Sequence, residues 1–371
     1  MEGDAFPIDL YVESLVLLLR SVKHEDNNHT RSEHQTSLQR IYAESAQHFL
    51  REIQQGELDV SLGYFEPVLA SIVAYVASSY PYIPADITTD IAIFFTYTAV
   101  LDDDTSEESQ PSMETFFEDL IYAKEQKHPW WRLMNRQLLK TVKHYGSFCA
   151  FNIVRSAFDY IAKTELTSGA VVFQACWIER HNFHGFPGSH DFPLFLRGLG
   201  GIGHGVAGTL FPARHFDEQV LFPEIVSAIP TINNLVIFIN DLMSFYKEFD
   251  EPRDQVGLVR NYCVVEGITL HQALEKLAHD AIRVCKELFS VFEGRDPQVK
   301  ATVNAWLQGY ITWHLCDHRY RLKEILERAG GSPHGVEFMK YYEQARLVGG
   351  FNLEEWASPS ISELVEQARE A

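Results

Sequence analysis

A chain of 371 residues, 46% of them hydrophobic, holds ample apolar material for a packed core and excludes wholesale disorder. Its formal net charge of −20 opposes non-specific binding to nucleic acid or anionic lipid. Five scattered cysteines without CxxC spacing (Cys149, Cys176, Cys263, Cys285 and Cys316) read as reduced core thiols.

Along the chain, the acidic start MEGDAFPIDL lacks the basic region of a signal or transit peptide. No uninterrupted apolar run approaches the ~20 residues of a membrane span, so a cytoplasmic protein without one is expected. Apolar residues recur at three- and four-residue steps over 8–22, 36–54, 66–79, 86–102, 146–163, 219–249, 268–292, 297–327 and 336–346. Alternating strand patterns with Asn-Gly or Asp-Gly turns are missing. Breaks fall at Pro81–Pro84, at HGFPGSHDFP (184–193) and at GGSPHG (330–335). The prediction is all-α: one domain over 1–371, with 1–7 and 358–371 peripheral. His24, His29 and His34 lie in what reads as a solvated loop, and their spacing matches no common metal site.

Two motifs carry chemistry. The apolar stretch IAIFFTYTAVL runs into Asp102, Asp103 and Asp104, followed by Glu107 and Glu108. Acids at a helix C-terminus oppose the macrodipole, and divalent cations would offset that, since carboxylate oxygens suit magnesium. Phe95 lies seven residues before Asp102, on the same face, so the acids sit at the mouth of an aromatic-lined surface. Further on, NDLMSFYKEFD places Asn240, Ser244 and Glu248 one per helical turn, an amide, a hydroxyl and a carboxylate, all hard oxygen ligands. Lys247 is beside Glu248, where it could reach a phosphate sharing the metal. Gly203–Gly208 fits GxGxxG, but no strand precedes it and no acid on a second strand follows. The glycine run 198–208 reads instead as a helix break beside a cavity.

With HPWW (128–131), CWIE (176–179), FPGSHDFPLFLR (186–197), NDLMSFYKEFD (240–250) and GYITWHLCDHRYRL (309–322), the chain resembles the trichodiene synthase family of fungal class I sesquiterpene cyclases, from about residue 8 to 357. The resemblance implies the class I terpenoid synthase fold, a helical bundle around a central apolar active-site cavity, with three Mg2+ ions at its mouth. It implies farnesyl diphosphate as substrate, trichodiene as leading product, and a homodimer. By motif matching, Asp102 is the main aspartate-rich ligand, with Asp103 and Glu107 as further candidates, and Asn240, Ser244 and Glu248 form the other metal site. Arg197, Lys247, Arg319 and Tyr320 are the matching diphosphate donors, and Phe95, Tyr97, Phe245 and Trp313 the candidate cation-stabilising aromatics. Two departures stand out. Ser106 occupies a position where the family usually has an acid, and 164–174 (TELTSGAVVFQ) reads as extra sequence, a loop or a retained intron.

Three rival readings are weighed against this one. A chain-elongating prenyltransferase should show a second aspartate-rich motif where this chain has Asn240, Ser244 and Glu248. A sister cyclase with another cyclic C15 product shares every motif. A non-catalytic scaffold descended from a cyclase would have little reason to retain Lys247, Arg319 and Tyr320.

Overall fold

The computed structural model describes residues 6–25, 27–103, 118–119, 122–161, 183–200, 202–249, 251, 256–351 and 360–370. Among these the regular structure is helical: α1 (Ile8–Ser21), α2 (Arg31–Gln54), α3 (Leu62–Ser79), α4 (Ala85–Asp103), α5 (Pro129–Thr141), α6 (Ser147–Ile161), α7 (Phe192–Gly198), α8 (Ile202–Thr209), α9 (Phe222–Glu248), α10 (Leu258–Glu266), α11 (Leu270–Val291), α12 (Pro297–Cys316), α13 (Leu322–Ala329), α14 (Pro333–Gly349) and α15 (Ile361–Glu370). Single 3₁₀ turns follow α5 and α12, at Val142–His144 and His318–Tyr320. One isolated bridge, Tyr145 to Pro212, is the sole β pairing among the described residues.

Local chemistry sets the helix ends. Thr30 and Thr269 form capping boxes with Glu33 and Gln272, and Asp296 accepts the amides of Gln298 and Val299. The run read as 297–327 divides because Asp317 leaves helical geometry (ψ 122°) and Arg321 adopts a left-handed φ of 57°. Helices α5, α7, α8, α10 and α15 fall outside the periodic stretches. Four of them have ten residues or fewer, and a short amphipathic window carries little period.

Two expectations are corrected. The segment around His24–His34 is packed, not solvated: His24 Nδ1 meets Gln308 Oε1 at 2.9 Å, His29 Nε2 meets the Ala77 carbonyl at 3.1 Å, and His34 Nε2 meets Ser78 Oγ at 3.0 Å. Together with Asn28, whose amide donates to the Ala305 carbonyl, these side chains tie the segment to α3 and α12. The C-terminal stretch is not merely peripheral either, because α15 buries Ile361 and Val365, and the Ser362 amide donates to Glu66.

Helices α3, α4, α9 and α12 surround the central space, and α8 wedges between α6 and α9. Close approach there requires glycine. A Cβ at Gly309 of α12 would collide with the Ser78 and Ser79 backbone of α3, and one at Gly208 would meet the Cys149 carbonyl of α6 at 2.9 Å. The GxGxxG run is therefore a helix-packing surface. By length and composition alone α3 and α9 would pass for membrane spans. Their apolar residues instead pack into the core and line the central cavity. The described cysteines Cys149, Cys263, Cys285 and Cys316 form no disulfide.

Candidate active site

The cavity has a volume of about 600 Å³ and a polar end and an aromatic end. The polar end is built from the break between α7 and α8, the middle of α9, and the 3₁₀ turn after α12. Arg197, in the last turn of α7, Asn240 of α9, and Arg319 and Tyr320 of the turn all line it.

Asp317 shapes that turn. It is buried, accepts the Arg319 amide at 3.0 Å through Oδ1, and takes the Ser71 hydroxyl of α3 on Oδ2. One carboxylate thus caps the turn and pins it to the neighbouring α3. Tyr320 is buried against Trp313, ring centroids 5.3 Å apart, and its hydroxyl is within reach of the Asn240 amide. Burial pushes its phenol far above the usual range, so it stays a protonated, neutral donor. The Arg319 guanidinium is exposed, 5.6 Å from the centre of the Tyr320 ring.

The stripe Asn240, Ser244, Glu248 runs along α9 as the spacing requires, although of the three only Asn240 lines the cavity. Ser244 is 1% exposed, and its hydroxyl has no hydrogen-bond partner among the described residues. An orphaned buried hydroxyl costs about 1–3 kcal/mol, so an unmade bond there calls for an explanation. Glu248 ends α9, partly exposed, with Lys247 Nζ 4.0 Å from its Oε1. Lys247 lies beyond the cavity lining. On the opposite wall, α4 presents Phe95, Thr98 and Ala99 to the cavity and ends at Asp103. The side chains of Asp102 and Asp103 lie outside the described residues, as do Asp104, Ser106, Glu107, Glu108 and the 164–174 segment.

At the aromatic end, Phe95 and Trp313 line the cavity. Tyr97 and Phe245 do not. Two residues on from Phe95 along a helix, Tyr97 faces the other way, where its hydroxyl meets His48 Nε2 at 2.9 Å among Phe49 and Trp130. Phe245 packs behind α9 against Phe6, Tyr11 and Phe249. Their places are taken by Tyr75 and Tyr310, which sequence reasoning missed. Tyr75 contacts Phe95, Tyr310 and Trp313 with centroids 5.1–5.9 Å apart. Tyr310 could have been found, since it precedes Trp313 by three residues on one helical face. Tyr75 carried no such signal. Asp241 and Asp317 were also missed as site residues. Asp241, 4% exposed, accepts Arg197 Nε at 2.8 Å.

An all-helical bundle around an apolar cavity with polar donors at one end is the class I terpenoid synthase fold. A solved relative agrees: the linalool/nerolidol synthase from Streptomyces clavuligerus superposes with a TM-score of 0.51 at 14% identity, covering 74% of this chain and 96% of that one. The chain belongs to the trichodiene synthase family, whose sequence model matches residues 5–371. It is 45% identical to the trichodiene synthase of Stachybotrys chartarum over 368 residues, 99% of this chain and 93% of that protein. To the trichodiene synthase of Gibberella pulicaris it is 44% identical over 361 residues, 97% and 91% of the two chains. It is accordingly a terpene cyclase, of a family that depends in general on divalent metal.

The residues present fit such a metal. Asn240, Ser244 and Glu248 offer hard oxygen donors on one face, and the unpartnered Ser244 hydroxyl is what a ligand without its ion would look like. No cluster of three or more His, Cys, Asp or Glu that could hold a metal occurs among the described residues, which leave out the side chains of Asp102 and Asp103 and all of 104–117.

Proposed function

We propose that this chain is a carbon–oxygen lyase that ionises farnesyl diphosphate and cyclises the cation to trichodiene, releasing diphosphate. Membership of the trichodiene synthase family over nearly the whole chain is the observation that carries the reading. The polarity of the cavity supports it: phosphate donors at one end, aromatic rings at the other.

In this reading Asn240, Ser244 and Glu248 hold magnesium on α9 and Asp102 holds it on α4, three ions in all, with Asp103 and Glu107 as further candidates. The ions supply Lewis-acid charge at the diphosphate oxygens. Arg197 and Arg319 fork onto those oxygens and Lys247 adds a point charge from the cavity rim. Tyr320, held protonated by burial, donates one neutral hydrogen bond. All four stabilise charge that grows on the leaving diphosphate as the C–O bond breaks, and losing one such donor typically lowers kcat ~10²–10³-fold.

The allyl cation left behind must be kept from water and held in a cyclising shape. Phe95, Tyr75, Tyr310 and Trp313 surround it with ring faces, each capable of about 0.5–2 kcal/mol of cation–π attraction in a dry cavity. Burial raises the phenols of Tyr75, to about 12, and of Tyr310, so neither offers a phenolate to capture the cation. The working assembly proposed is a homodimer, on the family resemblance alone, and the proposed compartment is the cytoplasm, which the scattered cysteines without CxxC spacing favour.

The test is incubation of purified protein with farnesyl diphosphate and magnesium, with the extract analysed by gas chromatography–mass spectrometry. Trichodiene is the expected product. A different cyclic C15 hydrocarbon would retain the mechanism and reassign the product, and folded protein that forms no hydrocarbon would defeat the reading.

A further inference from the structure

Asp241 is not one of the i, i+4, i+8 oxygen donors and does not line the cavity, yet it is bound to a residue that does. It lies three residues before Ser244 and seven before Glu248, so on a helix it shares their face. Its carboxylate is almost fully buried and accepts Arg197 Nε at 2.8 Å. The ion pair joins two elements of very different length. Asp241 sits in the 27-residue α9, which packs on α8 and α11. Arg197 sits in the last turn of a seven-residue helix that ends at Gly198 and is followed by Gly200 and Gly201 before α8 begins.

A long arginine on a short helix beside a glycine run has many rotamers to lose before it can meet an anion. A buried negative charge near a diphosphate site, moreover, would repel the ligand unless it were neutralised. The pair answers both problems. Asp241 grips the guanidinium by its Nε edge and fixes its plane where Arg197 lines the cavity.

We propose that Asp241 is a positioning residue for diphosphate: through Arg197 it couples the orientation of the guanidinium to the metal-bearing face of α9. The inference rests on the proposed reaction for its substrate. The same ligand chemistry, magnesium pyrophosphate, tests it without turnover.

The experiment is a double-mutant cycle of Asp241→Ala and Arg197→Ala, with Asp241→Asn as the shape-conserving variant. Turnover of farnesyl diphosphate is read alongside thermal stabilisation by magnesium pyrophosphate. Asp241→Ala is expected to lower kcat/KM about 10–100-fold, the range typical of residues that orient a ligand-binding group. Asp241→Asn, which keeps a weaker hydrogen bond, should recover part of that loss. The double variant should be no worse than Arg197→Ala alone, because the two residues act as one unit. The magnesium concentration at half-maximal rate should stay within about twofold of wild type in Asp241→Asn, as a residue that binds no metal through its own oxygens requires.

Multiplicative losses in the cycle would overturn the proposal. So would a magnesium requirement that rises in Asp241→Asn as it does in Asn240→Ala, which would make Asp241 a ligand. Wild-type protein that is stabilised by magnesium pyrophosphate but forms no hydrocarbon would defeat the proposed function only, and the cycle would still be read from the thermal shifts. Wild-type protein that neither binds magnesium pyrophosphate nor turns over would defeat both.

Discussion

The two ends of the cavity are built on opposite terms. At the polar end, positions are set by hydrogen bonds and ion pairs with defined directions: Asp317 to the Arg319 amide, Ser71 to Asp317, Arg197 to Asp241. At the aromatic end, Tyr75, Phe95, Tyr310 and Trp313 are placed mainly by packing, with centroids 5.1–5.9 Å apart; the hydrogen bonds there, from the Tyr310 hydroxyl to the Val236 carbonyl and between the Tyr75 hydroxyl and Tyr80 and Trp306, hold the phenol tips and leave the ring faces to packing. Directional contacts fix where charge must be, which suits the bond-breaking step. Packed rings fix a volume and a shape, which suits the folding of a flexible apolar chain. The polar end should therefore govern rate, and the aromatic end should govern product.

The largest effect is expected where that division is sharpest. The double substitution Asn240→Ala/Ser244→Ala removes two donors from α9 and should lower kcat by at least about 10²–10³-fold. Its apparent melting temperature without ligand should fall only modestly, because Ser244 has no internal hydrogen bond to lose and Asn240 gives up the one to the Tyr320 hydroxyl, worth about 0.5–1.5 kcal/mol. Wild-type turnover in this variant would break the assignment of the polar end.

A smaller and different effect is expected at the aromatic end. Trp313→Leu should change the mixture of hydrocarbons and slow turnover about tenfold, corresponding to roughly 1.4 kcal/mol of lost cation stabilisation. Tyr97→Phe is the matched control on the far face of the same wall. It gives up the hydrogen bond to His48 and should cost about 0.5–1.5 kcal/mol of stability with the product unchanged. A shifted product mixture from Tyr97→Phe would move the boundary between cavity and core.

The mildest perturbation is acid, and it should act through buried imidazoles: His34 and His48 in the packed helices, and His314 behind the Tyr320 ring at the polar end. Burial lowers His34 and His314 from 6.5 to about 3 and His48 to about 4. Below pH 6.5 the unfolded chain takes up protons that these folded imidazoles refuse. Stability is therefore retained above pH 6.5 and falls as pH drops from there toward 4, by roughly 1.4 kcal/mol per unit for each histidine. Denaturant titrations at pH 7 and pH 5 check this, and His34→Gln should flatten the difference. An unchanged midpoint between the two would sink the account of the buried histidines.

Among the site residues, those visible in the sequence are polar groups in places where polar groups are unusual. Asn240, Ser244 and Glu248 interrupt a long apolar helix at one-turn intervals, and that interruption can be read without a structure. Asp241 sat inside the same motif and was passed over, because its partner Arg197 is 44 residues away and only the fold brings them together. The aromatic wall is the reverse case. Phe95 and Trp313 face the cavity while Tyr97 and Phe245 do not, yet all four sit in helical stretches of similar apolarity.

The sequence by itself determined the helical class, most of the long helices, the spacing of the oxygen donors on α9 and, through its motifs, the family. These follow from periodicity and from residue chemistry, which are local. The tertiary structure alone decided which rings face the cavity, that Asp317 and Ser71 pin the Arg319–Tyr320 turn, that Asp241 holds Arg197, and that the glycine run serves helix packing. Those depend on which helix lies opposite. A side chain's neighbour across a helix–helix contact is fixed by crossing geometry, and the order of residues along either helix does not contain it.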